Sequence, residues 1–348
     1  SDLLPARVLR GLNLMEAPSG APETFGQRLR AALIELGPTF VKFGQVLSTR
    51  PDLIGADVAD ELTGLQDQVD PLPFEQMAKV VEEDLGHPIE ELFDFFDTTP
   101  IASASLAQVY RAQLADGEAV AVKVQRPGVQ RVIEADLSLM RQIAEWTAEH
   151  VDESSFLDPV GIVDEFARSV QREMDFVMEA RVISQFRENL AENDAVFVPA
   201  VYPELLSKRV LTMDWVDGVR VDKYDAYEER GCDRHSIALT ACEALCQMVF
   251  EHRLFHADPH PANIFITRDN GMAFLDLGMA GHLEPDDVEA IADLMLAVLH
   301  GDTAASANGT LALTTSGVLD DRDAFEHEIA EFIAFEAHAI ISTGQVAK

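Results

Sequence analysis

Two histidines, an aspartate, two prolines and an asparagine lie within FHADPHPANIF, a stretch of eleven residues from Phe255 to Phe265. That mixture is not typical of a core segment, since buried polar side chains need partners. Two kinds of chemistry use such residues at close spacing. His256, Asp258 and His260 could bind a transition metal in a hydrolase. Alternatively, Asp258 and Asn263 could belong to the catalytic loop of a phosphoryl-transfer enzyme.

The spacing favours phosphoryl transfer. Asn263 follows Asp258 by five residues, and His256 precedes it by two, as in the kinase pattern H-R-D-x-x-x-x-N. Thirteen residues after Asn263, the predicted strand MAFLD reaches Asp276 in a D-L-G that resembles D-F-G. One carboxylate would orient the attacking hydroxyl or water, while an amide oxygen and a second carboxylate hold Mg²⁺ against the phosphates. The hydrolase alternative needs further metal ligands downstream, where His282 stands alone.

The stretch VAVKVQ predicts a strand that presents a lysine to a cleft. Strand alternation places Val120, Val122 and Val124 on one face and Lys123 on the other. A strand lysine that reaches nucleotide phosphates is the arrangement kinases use. The order of strand lysine, HxD, asparagine and DxG therefore predicts a nucleotide-dependent phosphoryl-transfer site.

The elements that must position these residues fall into three regions. We predict a helical N-terminal extension over residues 1–94, a small antiparallel sheet with helices over 95–219, and a helical region over 220–348 with the catalytic and DLG loops. Periodicity predicts one long helix over residues 159–190. The small polar segment 303–317 reads as a loop or a weakly packed turn.

The composition restricts the partners. With 61 acidic and 26 basic residues, only six of them lysine, the formal net charge is −35. So negative a chain is unsuited to general nucleic-acid binding and to adsorption on anionic lipid. Three cysteines cannot form a disulfide framework, and we find no uninterrupted apolar stretch of about 18 residues. The acidic, lysine-poor composition favours a salt-adapted host, with a generally acidic cytosolic protein as the alternative. For a salt-adapted protein we expect the unfolding midpoint to change in molar KCl. A midpoint indifferent to KCl would contradict this hypothesis.

The chain resembles the UbiB/ADCK family of atypical protein-kinase-like proteins from about residue 37 to residue 300. Four motifs carry the resemblance: the KxGQ from Lys42 to Gln45, the alanine-rich ASASLAQVY from Ala102, the ExD from Glu173 to Asp175 with Glu179 after it, and HADPHPAN with the DLG.

The resemblance implies an α+β, two-lobed protein-kinase-like fold with a helical KxGQ extension, and ATP with Mg²⁺ as cofactors. Lys123 would contact the phosphates and Asp258 would position the acceptor. Asn263 and Asp276 would hold Mg²⁺. Glu179 would pair with Lys123, as a helix glutamate does in kinases.

The family motifs also imply regulatory contacts. In the family the KxGQ helix packs over the nucleotide cleft and blocks peptide substrates. Lys42 would then pair with Glu173 or Asp175, because a buried unpaired lysine would lose its charge. Without the resemblance, Lys42 and Gln45 would read as a solvated polar face, since they share one side of a helix.

Two further segments are expected to contact the nucleotide. Ala102, Ser103, Ala104 and Ser105 replace the glycines of the kinase phosphate loop, which predicts a stiffer loop with available hydroxyls. The resemblance implies that this loop alters nucleotide preference and restrains protein-kinase activity. Backbone groups near Asp214 and Val216 are expected to contact adenine. Ala262 stands where family members commonly carry glycine, and we expect ordinary torsions there.

From the resemblance we expect ATP hydrolysis, or phosphoryl transfer to a small or lipid-like acceptor, in support of isoprenoid quinone biosynthesis. The expected setting is cytoplasmic, with peripheral contact at the inner face of a membrane, a phenolic isoprenoid lipid as partner and no nucleic acid. The alternative is a nucleotide-sensing pseudokinase scaffold for a lipid-biosynthesis complex, whose ATP-dependent closure matters more than turnover. The complete set of Lys123, Asp258, Asn263 and Asp276 argues against that alternative.

Overall fold

A computed structural model describes residues 24–65, 69–150, 158–257, 259–314 and 322–334. The chain divides into two compact units. The first takes its described residues from Ser1–Glu188, Phe197–Val219 and Ala273–Met279; the second takes its residues from Asn189–Val196, Arg220–Met272 and Ala280–Lys348. The first unit thus holds the described helices of residues 24–94, the small sheet and the DLG segment; residues 1–23 of the predicted extension lie outside the described residues.

The helices of the first unit start and stop at residues suited to those positions. Thr24 and Gln27 form a capping box at the start of the first helix. Gly37 at φ 117° ends that helix, and Pro38 begins the next. The nine helices described in this unit are α1 Phe25–Leu36, α2 Pro38–Ser48, α3 Pro51–Ile54, α4 Ala56–Leu62, α5 Phe74–Leu85, α6 Ile89–Leu92, α7 Val129–His150, α8 Pro159–Glu173 and α9 Phe176–Asn189.

The small sheet is antiparallel and has strand β4 near its centre. Its strands are β1 Phe95–Phe96, β2 Ala102–Ser103, β3 Ala107–Gln113, β4 Ala119–Gln125, β6 Val201–Leu206 and β7 Val210–Asp214. The order is β1-β3-β4-β7-β6, with β2 paired to β3. Val122 is opposite Tyr110 on one side and Thr212 on the other. Alternation along β4 puts its valines on a single face, and this register places Val122 on the same face as Tyr110 and Thr212.

Two apolar clusters stabilise the first unit. One lies among the extension helices and the α7–α8 pair, where Phe43 meets Phe166 edge to face at 5.0 Å. The other lies between α5 and the sheet and contains Met77, Tyr110 and Val122, all with no exposed surface. The sheet face that carries Lys123 is therefore the face opposite this second cluster.

The predicted long helix over residues 159–190 is wrong, because α8 and α9 are separate. Helix α8 ends before Met174. Asp175 then caps the start of α9 by accepting hydrogen bonds from the backbone N–H groups of Val177 and Met178 at 3.1 and 3.3 Å. Gln125 donates to the Met174 carbonyl at 2.5 Å. Side-chain capping and a contact from β4 thus outweigh the helical periodicity.

The second unit combines helices with short strands. Its described helices are α10 Tyr224–Glu228, α11 Arg234–Cys246, α12 Pro285–His300, α13 Thr303–Ala312 and α14 Arg322–Phe332. Strands β5 Val196–Phe197, β8 Val219–Arg220, β10 Ile264–Ile266 and β11 Met272–Phe274 form a sheet in the order β5-β11-β10-β8. The clustering into units places Phe197, Val219, Ala273 and Phe274 of these strands in the first unit. Strands β9 Leu254–His256 and β12 Ala280–His282 form an antiparallel pair. Among the residues described in either unit, no helix is long and apolar enough to cross a membrane.

The predicted loop over residues 303–317 is also wrong, since α13 occupies its first ten residues. Asp302 caps the helix by accepting from the Ala305 N–H at 3.0 Å. The hydroxyl of Ser306 donates to the carbonyl of Asp302, and that of Thr310 to the carbonyl of Ser306. These bonds satisfy polar groups that otherwise disfavour a helix interior. Taken together, the two units confirm the predicted α+β class.

Candidate functional site

Lys123 is the centre of the site in the first unit. On β4 it alternates with Val122 and Val124, which are fully buried on the opposite face. Its ammonium donates to both carboxylate oxygens of Glu179, at 2.8 and 3.0 Å. The Lys123 Nζ also lies 5.2 Å from the ring centroid of Phe176, a cation–π distance. The ion pair that the motifs predicted is present, and an aromatic ring supports it.

The DLG aspartate also lies close to the Lys123 ammonium. Asp276 Oδ2 lies 3.6 Å from Lys123 Nζ, and its side chain is 44% exposed. The other oxygen, Oδ1, accepts from the Gly278 N–H at 3.2 Å. Lys123 is therefore held between a carboxylate that is buried and one that faces solvent.

The cluster contains more carboxylates than its ammonium can neutralise. Burial acts to lower the pKa of Lys123, but Asp276 and Glu179 outweigh it and hold that pKa well above its ordinary value. Burial raises the pKa of Glu179 to about 7, against the attraction of Lys123 and with help from Asp276 and Glu173. Either a proton on Glu179 or a cation near Asp276 would relieve the excess negative charge.

The pH dependence of stability should reveal this proton. In the unfolded chain Glu179 returns to a pKa of 4.5, so the folded state binds the proton more tightly. The contribution of Glu179 to stability is complete below about pH 4.5 and is lost as the pH rises through about 7. As the pH rises through that window, the free energy of unfolding of a Glu179→Gln variant should increase relative to that of the parent by on the order of 1 kcal/mol per pH unit. Urea unfolding of both proteins across the window measures the difference; a constant difference would contradict the prediction.

A second ion pair ties the KxGQ helix to the end of α8. Lys42 Nζ lies 2.6 Å from Glu173 Oε1, and the two side chains are 19% and 23% exposed. Of the two predicted partners, the structure pairs Lys42 with Glu173, whereas Asp175 caps α9. Gln45 donates to the carbonyl of Leu65 at 3.3 Å. Gly44 is buried, and a Cβ there would overlap Leu65 and lie 2.7 Å from Leu33 Cδ1. Close packing explains a glycine in this helix.

The alanine-rich loop, residues Ala102–Ser105, is held more firmly than predicted. The Arg126 guanidinium donates to the Ser103 hydroxyl at 2.7 Å and to the Ala104 carbonyl at 2.8 Å. Ser105 is only 4% exposed. The expectation that these hydroxyls are available is therefore corrected, since the loop uses Ser103 internally and buries Ser105.

At the end of β7, Asp214 is engaged in structural contacts. Its carboxylate accepts from the Ala200 N–H at 2.8 Å and the Tyr202 hydroxyl at 3.0 Å. Its own N–H donates to the Ala200 carbonyl, and the Trp215 N–H donates to that of Ala119. An adenine contact from Asp214 is thus limited to its backbone carbonyl, and the other predicted contact is the backbone of Val216.

The catalytic-loop motif belongs to the second unit. Asp258 lies outside the described residues. Asn263 ends a 3₁₀ turn over Pro261–Asn263, which His260 caps by accepting from the Ala262 N–H at 3.1 Å. Ala262 lies within that turn and has ordinary torsions, as expected. His256 is buried at the end of β9.

The strand pair β9–β12 supports this loop through a contact that sequence reasoning missed. Gly281 is opposite Phe255, and a Cβ at Gly281 would overlap the Phe255 ring. We expect Gly281→Ala to destabilise the protein by about 1–2 kcal/mol through overpacking. Combining it with Phe255→Leu should restore part of that loss, because the ring is then gone. Chemical denaturation of the single and double variants checks this; additive losses would contradict the proposed contact.

Oxygen donors of the first unit suit a hard divalent cation. Asp276 offers an exposed carboxylate, and Glu173 Oε2 is buried with no hydrogen-bond partner among the described residues. Carboxylate and amide oxygens are the ligands Mg²⁺ prefers. Within the described ranges, which omit Asp258, no group of three His, Cys, Asp or Glu side chains is placed to hold a metal ion. Asp276 with Asn263 remains the predicted Mg²⁺ pair.

Comparison with known proteins agrees with the resemblance. The model of the ABC1 atypical kinase-like domain matches residues 64–309. A probable protein kinase UbiB of Marinobacter nauticus is 40% identical over 80% of this chain and 51% of its own length. The chloroplastic protein Activity of BC1 Complex Kinase 1 of Arabidopsis thaliana is 39% identical over 81% of this chain and 42% of its own. This chain thus spans about half the length of these curated relatives.

A solved structure is similar as well. It is the complex of Rv3197 with erythromycin from Mycobacterium tuberculosis, with a TM-score of 0.60 and 27% identity over 84% of this chain and 75% of that chain.

Proposed function

This chain belongs to the ABC1 atypical kinase-like family, within which it matches UbiB proteins, and from that premise we propose that it binds ATP with Mg²⁺. The proposed reaction is ATP hydrolysis or transfer of the γ-phosphoryl group to a small or lipid-like acceptor. The observation that carries the proposal is the position of Lys123 between Glu179 and Asp276. Phosphoryl transfer needs a fixed cation for the phosphates and a carboxylate for Mg²⁺.

The residues have separate tasks in this proposal. Lys123 binds the phosphates, and Glu179 fixes its direction through two hydrogen bonds. Asp276 and Asn263 hold Mg²⁺, which neutralises charge on the β- and γ-phosphates when bound. Asp258 orients the attacking hydroxyl or water, or accepts its proton.

The surrounding elements restrict access. The alanine-rich loop covers the phosphates, and the Asp214–Val216 backbone contacts adenine. Lys42 and Gln45 of the KxGQ helix act as regulatory residues. Glu173 and Asp175 of the ExD motif are the acidic residues that we assign to the same regulatory contact. The ion pair of Lys42 with Glu173 supports a helix held in place against α8, and such a helix disfavours large protein substrates.

The biological part of the proposal is support of isoprenoid quinone biosynthesis at a membrane surface. Three of the matching proteins are named as probable protein kinase UbiB, and the KxGQ and HADPHPAN motifs of this chain carry its resemblance to that family. Phenolic isoprenoid lipids are the acceptors or effectors we propose. The protein would contact the membrane only peripherally.

The alternative proposal is a nucleotide-sensing scaffold for a lipid-biosynthesis complex. The observation that favours it is the alanine-rich loop, whose Ser103 hydroxyl is already bound by Arg126 and whose Ser105 is buried. A loop held in this way has few groups left for stabilising a transition state.

Measurement of ADP release and of nucleotide-induced thermal shift separates the two proposals. Mg²⁺-dependent ADP release favours the enzyme, whereas a thermal shift without turnover favours the scaffold. Stoichiometric zinc or manganese on purification, with no ATP-dependent shift, would overturn both. The same turnover assay with vesicles containing a phenolic isoprenoid tests the membrane role. An unchanged rate would exclude it.

A further inference from the structure

One arginine outside the motifs binds the alanine-rich loop and the segment that leads into α5. Arg126 Nε donates to the Ala104 carbonyl at 2.8 Å, and Nη2 donates to the Ser103 hydroxyl at 2.7 Å. The same Nη2 donates to the Asp70 carbonyl at 2.9 Å and lies 3.4 Å from that of Val69. A single guanidinium therefore joins two stretches of backbone that are far apart in sequence.

The segment Val69–Leu72, here called the strap, has its own contacts with the sheet. Gln108 is fully buried on β3, and its side-chain amide oxygen Oε1 accepts from the Leu72 N–H at 2.7 Å. The Val69 N–H donates to the Ser103 carbonyl at 3.4 Å. The strap is thus attached at one end by Arg126 and at the other by Gln108.

On its N-terminal side the strap follows Leu65, which belongs to the KxGQ contact. Gln45 donates to the Leu65 carbonyl at 3.3 Å, and the Leu65 side chain packs where Gly44 has no Cβ. Leu65 is 5% exposed and part of the extension core. Residues 66–68, which lie outside the described residues, connect this anchored position to Val69. This short covalent connection is the reason we expect a movement of α2 to reach the strap.

We propose that Arg126 is a positioning residue that fixes the conformation of the alanine-rich loop and links it, through the strap, to the KxGQ helix. Arg126 acts through backbone groups of the loop and not on the reacting atoms. The nucleotide part of this inference rests on the proposed function, because that function places the loop over the phosphates. The physical link between Arg126, the loop and the strap does not depend on it.

The chemistry of the side chain favours arginine at this position. A guanidinium presents its donors in a fixed planar fork, so it can bind two backbone carbonyls and a hydroxyl at once. Glutamine offers two donors on one nitrogen and no charge. Loss of the fork should leave the loop to be ordered when the nucleotide binds, and that ordering lowers affinity.

The experiment compares Arg126→Gln with Arg209→Gln. Arg209 is another part-buried arginine of the first unit, and it binds Asp84, Glu83 and no part of the loop or strap described here. Hydrogen exchange of the amides of residues 101–107 should rise at least about threefold in Arg126→Gln and stay unchanged in Arg209→Gln. Affinity for ATP should fall about three- to tenfold in Arg126→Gln, with the affinity for AMP unchanged.

A purely structural role predicts a different pattern. Both variants would then lower the unfolding temperature, and neither would alter exchange in the loop or the ratio of ATP to AMP affinity. Unchanged exchange in the loop, or an unchanged ratio of ATP to AMP affinity, in Arg126→Gln overturns the inference. If the parent protein binds ATP in that case, the proposed function is unaffected. If the parent binds no nucleotide, the proposed function fails, and the exchange measurement alone decides the role of Arg126.

The link to the KxGQ helix has its own test. Gln45→Ala should raise exchange in residues 101–107 in the parent background and have little further effect in Arg126→Gln. An equal increase in both backgrounds would show that the strap does not transmit the position of α2.

Discussion

Replacement of Asp276 by Asn should lower Mg²⁺-dependent ADP release by at least about 100-fold, the usual effect of removing one electrostatic contact to a transition state. The amide keeps an oxygen that can accept from the Gly278 N–H, so the local turn should persist. What is lost is the negative charge 3.6 Å from Lys123 Nζ, and with it the carboxylate that we propose as a Mg²⁺ ligand.

Asp60→Asn is the matched control, since Asp60 is an exposed aspartate on α4 of the same unit. The control should retain parental turnover, and nucleotide binding in the absence of Mg²⁺ should persist in both variants because Lys123 is intact. A steady-state assay of ADP release with and without Mg²⁺ measures this. Equal turnover in Asp276→Asn and the parent would show that Asp276 does not hold the metal.

Breaking the ion pair between Lys42 and Glu173 should destabilise the first unit by about 2 kcal/mol. Removing one partner of a buried pair costs more than that, about 3–5 kcal/mol, but both side chains here keep about a fifth of their surface exposed. In Lys42→Met the Glu173 carboxylate would lose its partner for Oε1, and Oε2 accepts no hydrogen bond from any residue that the structure describes. Urea denaturation followed by circular dichroism gives the free energy of unfolding.

A double variant separates the lost attraction from the lost packing. Lys42→Met with Glu173→Gln should recover part of the stability, because no uncompensated charge remains. Lys79→Met, which removes an exposed lysine on α5, should change stability by less than about 0.5 kcal/mol. If Lys42→Met is as stable as this control, the pair makes no net contribution.

The part of the site that could be predicted from sequence is the part encoded by residue types at fixed spacing. Alternation along VAVKVQ placed Lys123 opposite the buried valines. The family resemblance paired Glu179 with Lys123, and the motif order assigned Asp276 to the same nucleotide site. These are contacts between ionisable groups, which have few acceptable partners in a low-dielectric interior. Sequence reasoning is strongest where the energetic penalty for a wrong partner is largest.

What could not be predicted depends on contacts between side chains and backbone. The break at Met174 comes from the capping by Asp175 and the hydrogen bond from Gln125. Arg126 was overlooked although it comes three residues after Lys123, because its acceptors are carbonyls that no sequence pattern identifies. The packing of Phe255 on Gly281 likewise becomes visible only when β9 and β12 are paired.

Three contacts of the site are made by residues at or just after the C-terminal end of β4. The hydrogen bonds between β4 and its neighbouring strands fix the position of all three. Lys123 extends to Glu179, Gln125 holds the Met174 turn, and Arg126 follows at once to hold the alanine-rich loop. A slip of one residue against β3 would turn Lys123 into the apolar layer and displace the other two together. The site therefore has no half-assembled form in which one of these contacts is lost alone through misalignment. The register of one seven-residue strand, β4, therefore determines whether all three contacts can form.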